Sequence, residues 1–131
     1  MTPPRAGAGS PPQAAANDAF AILAARAVVP GAPLAPSTEV RAALALLPGW
    51  TADRRALAKE YRFADWRGTM AFANRVSELA NEVDHHPDLA IGWGRCVVVW
   101  TTHDAGGVTG NDLACAARTE IIALRTGSAG G

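Results

Sequence analysis

Along this chain apolar residues recur at helical spacing in three stretches and at strand spacing in four. Val40, Ala43, Leu44 and Leu47 fall three or four residues apart behind the capping candidates Ser37 and Thr38. Pro48-Gly49 stops the run, so a helix is expected there. Trp50-Thr51-Ala52 and Ala56 to Phe63 read as two strands joined by a turn at Asp53-Arg54-Arg55. In the second strand Leu57, Lys59, Tyr61 and Phe63 share one face, while Ala58, Glu60 and Arg62 share the other. That alternation predicts a sheet with one covered and one wetter side. Asp65 is a cap for a long helix whose Met70, Phe72, Ala73, Val76, Leu79, Ala80 and Val83 form a broad apolar stripe. The helix must end by His86, because Pro87 disfavours helical backbone in the residue before it and has no N–H to donate.

Two more strands are predicted, Asp88 to Trp93 and Arg95 to Thr102, with Gly92 and Gly94 bracketing the turn. After a loop from Asp104 to Gly110, a last helix starts at Asn111 or Asp112 and runs through Leu113, Ala116, Ala117, Ile121 and Leu124. The order α-β-β-α-β-β-α predicts an α+β domain, a four-stranded antiparallel sheet with helices packed on one face. So small a sheet exposes its edges. Pairing with further copies of the chain, as a homodimer or homotetramer, would cover them. This domain is expected over residues 37–126, with a frayed tail at 127–131. Residues 1–36 hold seven of the nine prolines and much alanine and glycine, which predicts a flexible arm. Within it Asn17-Asp18 could cap a short apolar helix from Ala19 to Ala27.

Composition narrows the function classes. At 131 residues and 49% apolar side chains, the chain suits one domain with a real core and leaves no room for a second catalytic domain. Twelve basic residues balance twelve acidic ones, so no positive field favours nucleic acid or an anionic membrane. No apolar run approaches the roughly 20 residues of a membrane span. The first residues lack the compact apolar core and cleavage site of a secretory leader. Asp18 is the sole acid before Glu39, a composition compatible with an organelle transit peptide. Cys96 and Cys115 are too few and too far apart for a disulfide framework or a zinc knuckle. They read as small core residues of a protein in a reducing cytoplasm.

The candidate chemistry lies in one region. All three histidines, His85, His86 and His103, fall within nineteen positions, among Asp84, Asp88, Asp104 and Asp112. Imidazole is the side chain that titrates nearest neutrality, and nearby carboxylates fix its tautomer, which suits proton transfer to a small molecule. A hairpin turning near Trp93 would bring its two ends together, so His86 and His103 are expected to face one pocket. Two other readings stand beside this one. His85-His86 could simply cap the last carbonyls of the long helix. The histidines and carboxylates could also ligate zinc or iron, although no HxH or HxxxH spacing aims two imidazoles at one ion. Trp50, Trp66 and Trp100 are expected in the core.

Asn81, then His85-His86-Pro87, then Trp93, His103 and Asp112 at these intervals resemble the signature of the pterin-4a-carbinolamine dehydratases. Similarity extends over Leu47-Pro48-Gly49-Trp50, Tyr61-Arg62-Phe63 with Asp65-Trp66, and the run from Thr101 to Thr109. The resemblance implies dehydration of 4a-hydroxytetrahydropterin to quinonoid dihydropterin, without metal or organic cofactor, in recycling the pterin used by an aromatic amino acid hydroxylase. It implies that His85 and His103 form the acid–base pair and that His86 binds the ring and assists. Asp84, Thr102 and Asp104 would line the pterin site, Asp112 would orient the imidazoles, and Trp93 would support the site. Some relatives serve instead as binding modules, either transcriptional dimerisation cofactors or assembly factors. The chain departs from the pattern where Asn81 replaces a frequent glutamate. It departs again where Leu89 and Asn111 stand in place of an aromatic residue and an arginine, which alters the pocket wall and its charge.

Overall fold

The two alternating hairpins build a single four-stranded antiparallel sheet in the computed structural model, which describes residues 11–128. The elements in chain order are α1 (Pro11–Ala25), α2 (Ser37–Leu44), β1 (Thr51–Ala52), β2 (Leu57–Arg62), α3 (Trp66–Val83), β3 (Asp88–Gly92), β4 (Arg95–Trp100), a short 3-10 turn (His103–Ala105) and α4 (Gly110–Thr126). The predicted order holds from α2 onward. The spatial strand order is β1-β2-β4-β3, so β2 and β4 form the middle and β3 is an open edge. Residues 1–10 of the expected arm and 129–131 of the expected tail lie outside the described residues.

Local chemistry accounts for several of the boundaries, although α2 begins after Pro36 with no side-chain cap from Ser37 or Thr38. The Asp53 carboxylate accepts from the backbone N–H groups of Arg55 and Ala56 at 2.7 and 2.9 Å, which closes the β1–β2 turn. Those bonds favour the ionised form and lower the Asp53 pKa. Asp65 caps α3 by accepting from the Gly68 N–H at 2.8 Å. At the other end of α3, Asp84 takes the left-handed conformation at φ 53, a turn that Asp tolerates better than most residues. Pro87 follows, as its effect on the preceding residue requires.

Side chains from α2, α3 and α4 cover one face of the sheet. Leu57, Tyr61, Cys96, Val98 and Trp100 point into that layer and are buried, while Glu60, Arg62 and Arg95 on the opposite face are exposed. Tyr61, Phe63 and Phe72 meet at ring separations of 4.7 and 5.1 Å and form the aromatic centre. Trp50 and Trp100 are buried as expected, but Trp66 is 49% exposed. It is the first residue of α3, before the apolar stripe begins, so its ring lies outside the core. Both cysteines are buried and free.

The described part of the expected arm is held against the domain. α1 begins at Pro11, earlier than an Asn17-Asp18 cap would place it, and packs on α4. Proline is suited to a first helical turn because its missing N–H has no intrahelical partner there. The last carbonyls of the segment are taken by the Arg118 guanidinium, which donates to Ala24 O at 2.8 Å and Arg26 O at 2.7 Å. Beyond α1, Ala35 N–H donates to Val108 O at 2.9 Å and Leu34 bridges Thr109, so residues 28–35 run as a strap past the N-terminus of α4. Among the described residues no helix is long and apolar enough to cross a membrane.

Candidate active site

α4 begins beside the end of α3, and one carboxylate joins the two. Asp112 occupies the third position of α4 and completes a capping box with Thr109, accepting from the Thr109 N–H at 2.8 Å through Oδ2. The same oxygen accepts from the Thr102 hydroxyl at 2.8 Å. Thr109 Oγ1 lies 2.9 Å from Thr102 Oγ1 and in turn accepts from the Asn111 N–H at 3.2 Å. The remaining oxygen, Oδ1, lies 2.7 Å from His85 Nε2. Asp112 is wholly buried. Such a carboxylate is tolerable only with donors around it, and the positive end of the helix dipole favours it further.

His85 is fixed from three directions. The left-handed turn at Asp84 ends α3, and the His85 N–H returns to Ala80 O at 3.2 Å. The ring stacks on Trp100 with centroids 5.5 Å apart and planes 26° apart. Trp100 is held in turn by its indole N–H, which donates to Thr119 Oγ1 at 3.0 Å. With Nε2 committed to Asp112, Nδ1 is the nitrogen left for a ligand.

A cleft of about 600 Å³ opens at this point, a size suited to a small organic molecule. Asp84, His85, Thr102, Asp104 and Asn111 give the lining its polar groups, and the strap supplies an apolar part of it. Asp84, His85, Thr102 and Asp104 were all expected at the site and all line it. Asp112 lies behind His85. His86 and His103 are not among the lining residues, so one imidazole, not three, faces the cleft in the described structure. The reason is local. His86 is turned outward, its Nε2 3.1 Å from the Asn81 side-chain oxygen on the last turns of α3. His103 is exposed on the 3-10 turn, between the lining residues Thr102 and Asp104. Trp93 is 70% exposed in the β3–β4 turn, at the end of the hairpin opposite His85. It stands roughly 17 Å from the cleft end of that hairpin at the rise of an extended strand.

Some contributors escaped the sequence reading. Thr109 lies three residues before Asp112, the spacing of a capping box, and that signal was present in the chain. Asn111 was expected at the pocket wall as a departure from the family pattern, but residues 28–33 carried no pattern at all. Cys115, one turn beyond Asp112, is pushed up to about 12, chiefly by burial, and is no nucleophile near neutrality.

Fold and site together define a small α+β domain with a histidine–carboxylate pair at the wall of a cleft. The family model described as "Pterin 4 alpha carbinolamine dehydratase" matches residues 33–122, and the chain belongs to that family. A Chromobacterium violaceum protein named for pterin-4-alpha-carbinolamine dehydratase is 48% identical over 93 residues, covering 71% of this chain and 85% of its own. A similarly named Paracoccus denitrificans protein is 43% identical over 95 residues, covering 71% and 89% respectively. A crystal structure described as a transcriptional coactivator/pterin dehydratase from Brucella melitensis superposes with a TM-score of 0.65 at 30% identity, covering 68% of this chain and 97% of that one.

Proposed function

We propose that the cleft binds a 4a-hydroxytetrahydropterin and dehydrates it to the quinonoid dihydropterin. The C4a–O bond breaks, the hydroxyl gains a proton and leaves as water, and a C4a=N5 bond forms as N5 gives up its proton. One proton enters and one leaves with no change of oxidation state, which is work for a donor and an acceptor near neutral pKa. The observation that carries this reading is His85, lining the cleft with Nε2 held by buried Asp112.

In this reading His85 takes the N5 proton through Nδ1. His103, exposed between two lining residues, gives a proton to the leaving hydroxyl. Asp84, Thr102 and Asp104 hydrogen-bond the heterocycle, and His86, steadied by Asn81, contacts its outer edge. Asp112 is a positioning residue. The product, once reduced, would return to an aromatic amino acid hydroxylase. A second reading, a partner-binding module, is favoured by the description of the Brucella protein and by the open β3 edge, where Ile91 and Trp93 are exposed. Either reading is compatible with two copies pairing through that edge.

The test is kinetic. Purified protein should speed the loss of 4a-hydroxytetrahydropterin well above the spontaneous rate, with His85→Ala and His103→Ala each slowing it. Background rates from the wild type, or wild-type rates in both variants, would reject the dehydratase and leave the binding module.

A further inference from the structure

The cleft has two chemically unlike walls, and they come from different parts of the chain. The polar wall, carrying His85, Thr102 and Asp104, lies inside the family match, which begins at residue 33. The apolar wall is the strap, residues 28–33, of which all but the last precede that match. Its side chains are Val28, Val29, Pro30, Ala32 and Pro33, with Gly31 between them, and none carries a hydrogen-bonding group.

The strap is held in register at one point above all. The Asn111 side chain pairs with the backbone of Val29 in both directions: Val29 N–H donates to Oδ1 at 3.1 Å, and Nδ2 donates to Val29 O at 2.7 Å. Asn111 is buried, and its amide imitates a peptide group closing a β-bridge. The backbone is therefore fixed while the Val29 side chain stays 48% exposed. An apolar group pinned uncovered at a cleft wall stands to gain from an apolar neighbour, and it offers no partner to a hydroxyl that must give up water.

We infer that the strap selects the pterin by its C6 substituent, favouring a short apolar group such as methyl over a dihydroxypropyl chain. This rests on the dehydratase reading. The heterocycle meets the polar wall and its substituent meets the strap, so the strap acts on substrate binding and leaves the proton transfers to the polar wall.

Two measurements test it. Wild type should show a lower KM for the C6-methyl carbinolamine than for the dihydroxypropyl one, by on the order of tenfold, the scale of one apolar group in a pocket. Val29→Asn should narrow that ratio, chiefly by raising KM for the methyl substrate. Val28→Ser provides a second variant should the first fail to fold. Alongside, calorimetry would measure binding of the two corresponding 7,8-dihydropterins, which lack the leaving hydroxyl. A wild-type preference that shrinks in the variants supports the strap even if no turnover occurs, in which case the dehydratase reading alone fails. Turnover with a substituent preference that neither variant changes overturns the strap and leaves the dehydratase standing. Absence of both turnover and binding overturns both.

Discussion

Helix α4 carries two buried carboxylates, Asp112 and Glu120, about 12 Å apart along its axis. Asp112 meets an imidazole whose side chain is 15% exposed at a cleft. Glu120 meets the Lys59 ammonium at 2.5 Å, and that side chain is 3% exposed. Lys59 also donates to Pro48 O at 2.7 Å and lies 4.7 Å from the centre of the Tyr61 ring, while the Trp50 indole N–H donates to Glu120 at 2.8 Å. The same helix and the same kind of acid thus serve two ends. What separates them is the partner: one imidazole that lines a cleft, and one ammonium enclosed on all sides. A buried ion pair specifies how the layers dock, whereas a buried acid behind an accessible histidine specifies where a proton can move.

The largest effect should come from His85→Ala. Removing the proposed acid–base group is expected to lower kcat by roughly 10²–10⁴-fold, with a smaller cost in stability, about 1–3 kcal/mol, because Oδ1 of buried Asp112 loses its partner. Lys59→Met should do the reverse. It leaves Glu120 buried without its cation, a loss of about 3–5 kcal/mol, readable by urea unfolding, while turnover per folded molecule stays at the wild-type level. Adding Glu120→Leu should restore part of that stability, since an apolar pair needs no desolvation compensation, while the Trp50 N–H left without its acceptor offsets about 1–3 kcal/mol of the gain. If Lys59→Met instead abolished activity in folded protein, the division between the two clusters would be false.

The Asp112 cluster was the more legible of the two, since the resemblance named Asp112, His85 and Thr102, and the Glu120 cluster was less so. Strand periodicity placed Lys59 on the covered face with Leu57 and Tyr61, but nothing in the order of residues named Glu120 as its partner. The elements themselves were legible because the stripes of α3 and β2 are regular and the stops at Pro48 and Pro87 are strong. The start of α1 was not, because prolines that sit in its first turn read in the sequence as part of a flexible arm. For the site, gathering the histidines was legible and their directions were not. His85 and His86 are adjacent, and which one faces α4 depends on the left-handed turn at Asp84. The strap gave no signal because Pro, Gly and Ala in a row encode no periodicity, and its place is set by a pairing 82 residues away in sequence.

Asp112→Asn probes the open cluster more finely. Its amide oxygen can still accept from Thr102 and Thr109, so the capping box survives, but its NH₂ would face His85 Nε2 and reverse the polarity of that bond. The imidazole must then accept through Nε2 and carry its proton on Nδ1, the nitrogen proposed to receive one. Activity is expected to fall on the order of 100-fold, comparable to misplacing a reacting group by about 1 Å. The pH profile should change shape as well. A rate loss with an unchanged profile would mean that Asp112 acts on structure alone.

The smallest effect, at alkaline pH, bears on how tightly the enclosed cluster is sealed. Tyr61 is held well above the ordinary phenol range, first by burial and then by the Glu120 charge. Its neighbour across the strands, Cys96, is pushed up to about 11 by burial. Both groups are raised in the folded protein, so the unfolded chain loses their protons first. Their contribution to stability is whole below about pH 9, where the unfolded thiol begins to ionise, and is lost as pH climbs toward the folded values. At pH 9 the thiol's share of the loss is less than about 1 kcal/mol, and it grows above that. Tyr61 is the chain's single tyrosine, so ultraviolet tyrosinate absorbance reports this one group. It should stay silent past the pH at which free tyrosine ionises and appear together with loss of the folded signal. Cys96→Ala should soften the alkaline decline in Tm. Tyrosinate appearing near pH 10 in folded protein would show that solvent reaches this cluster, and the contrast with His85 would then be one of partner chemistry alone.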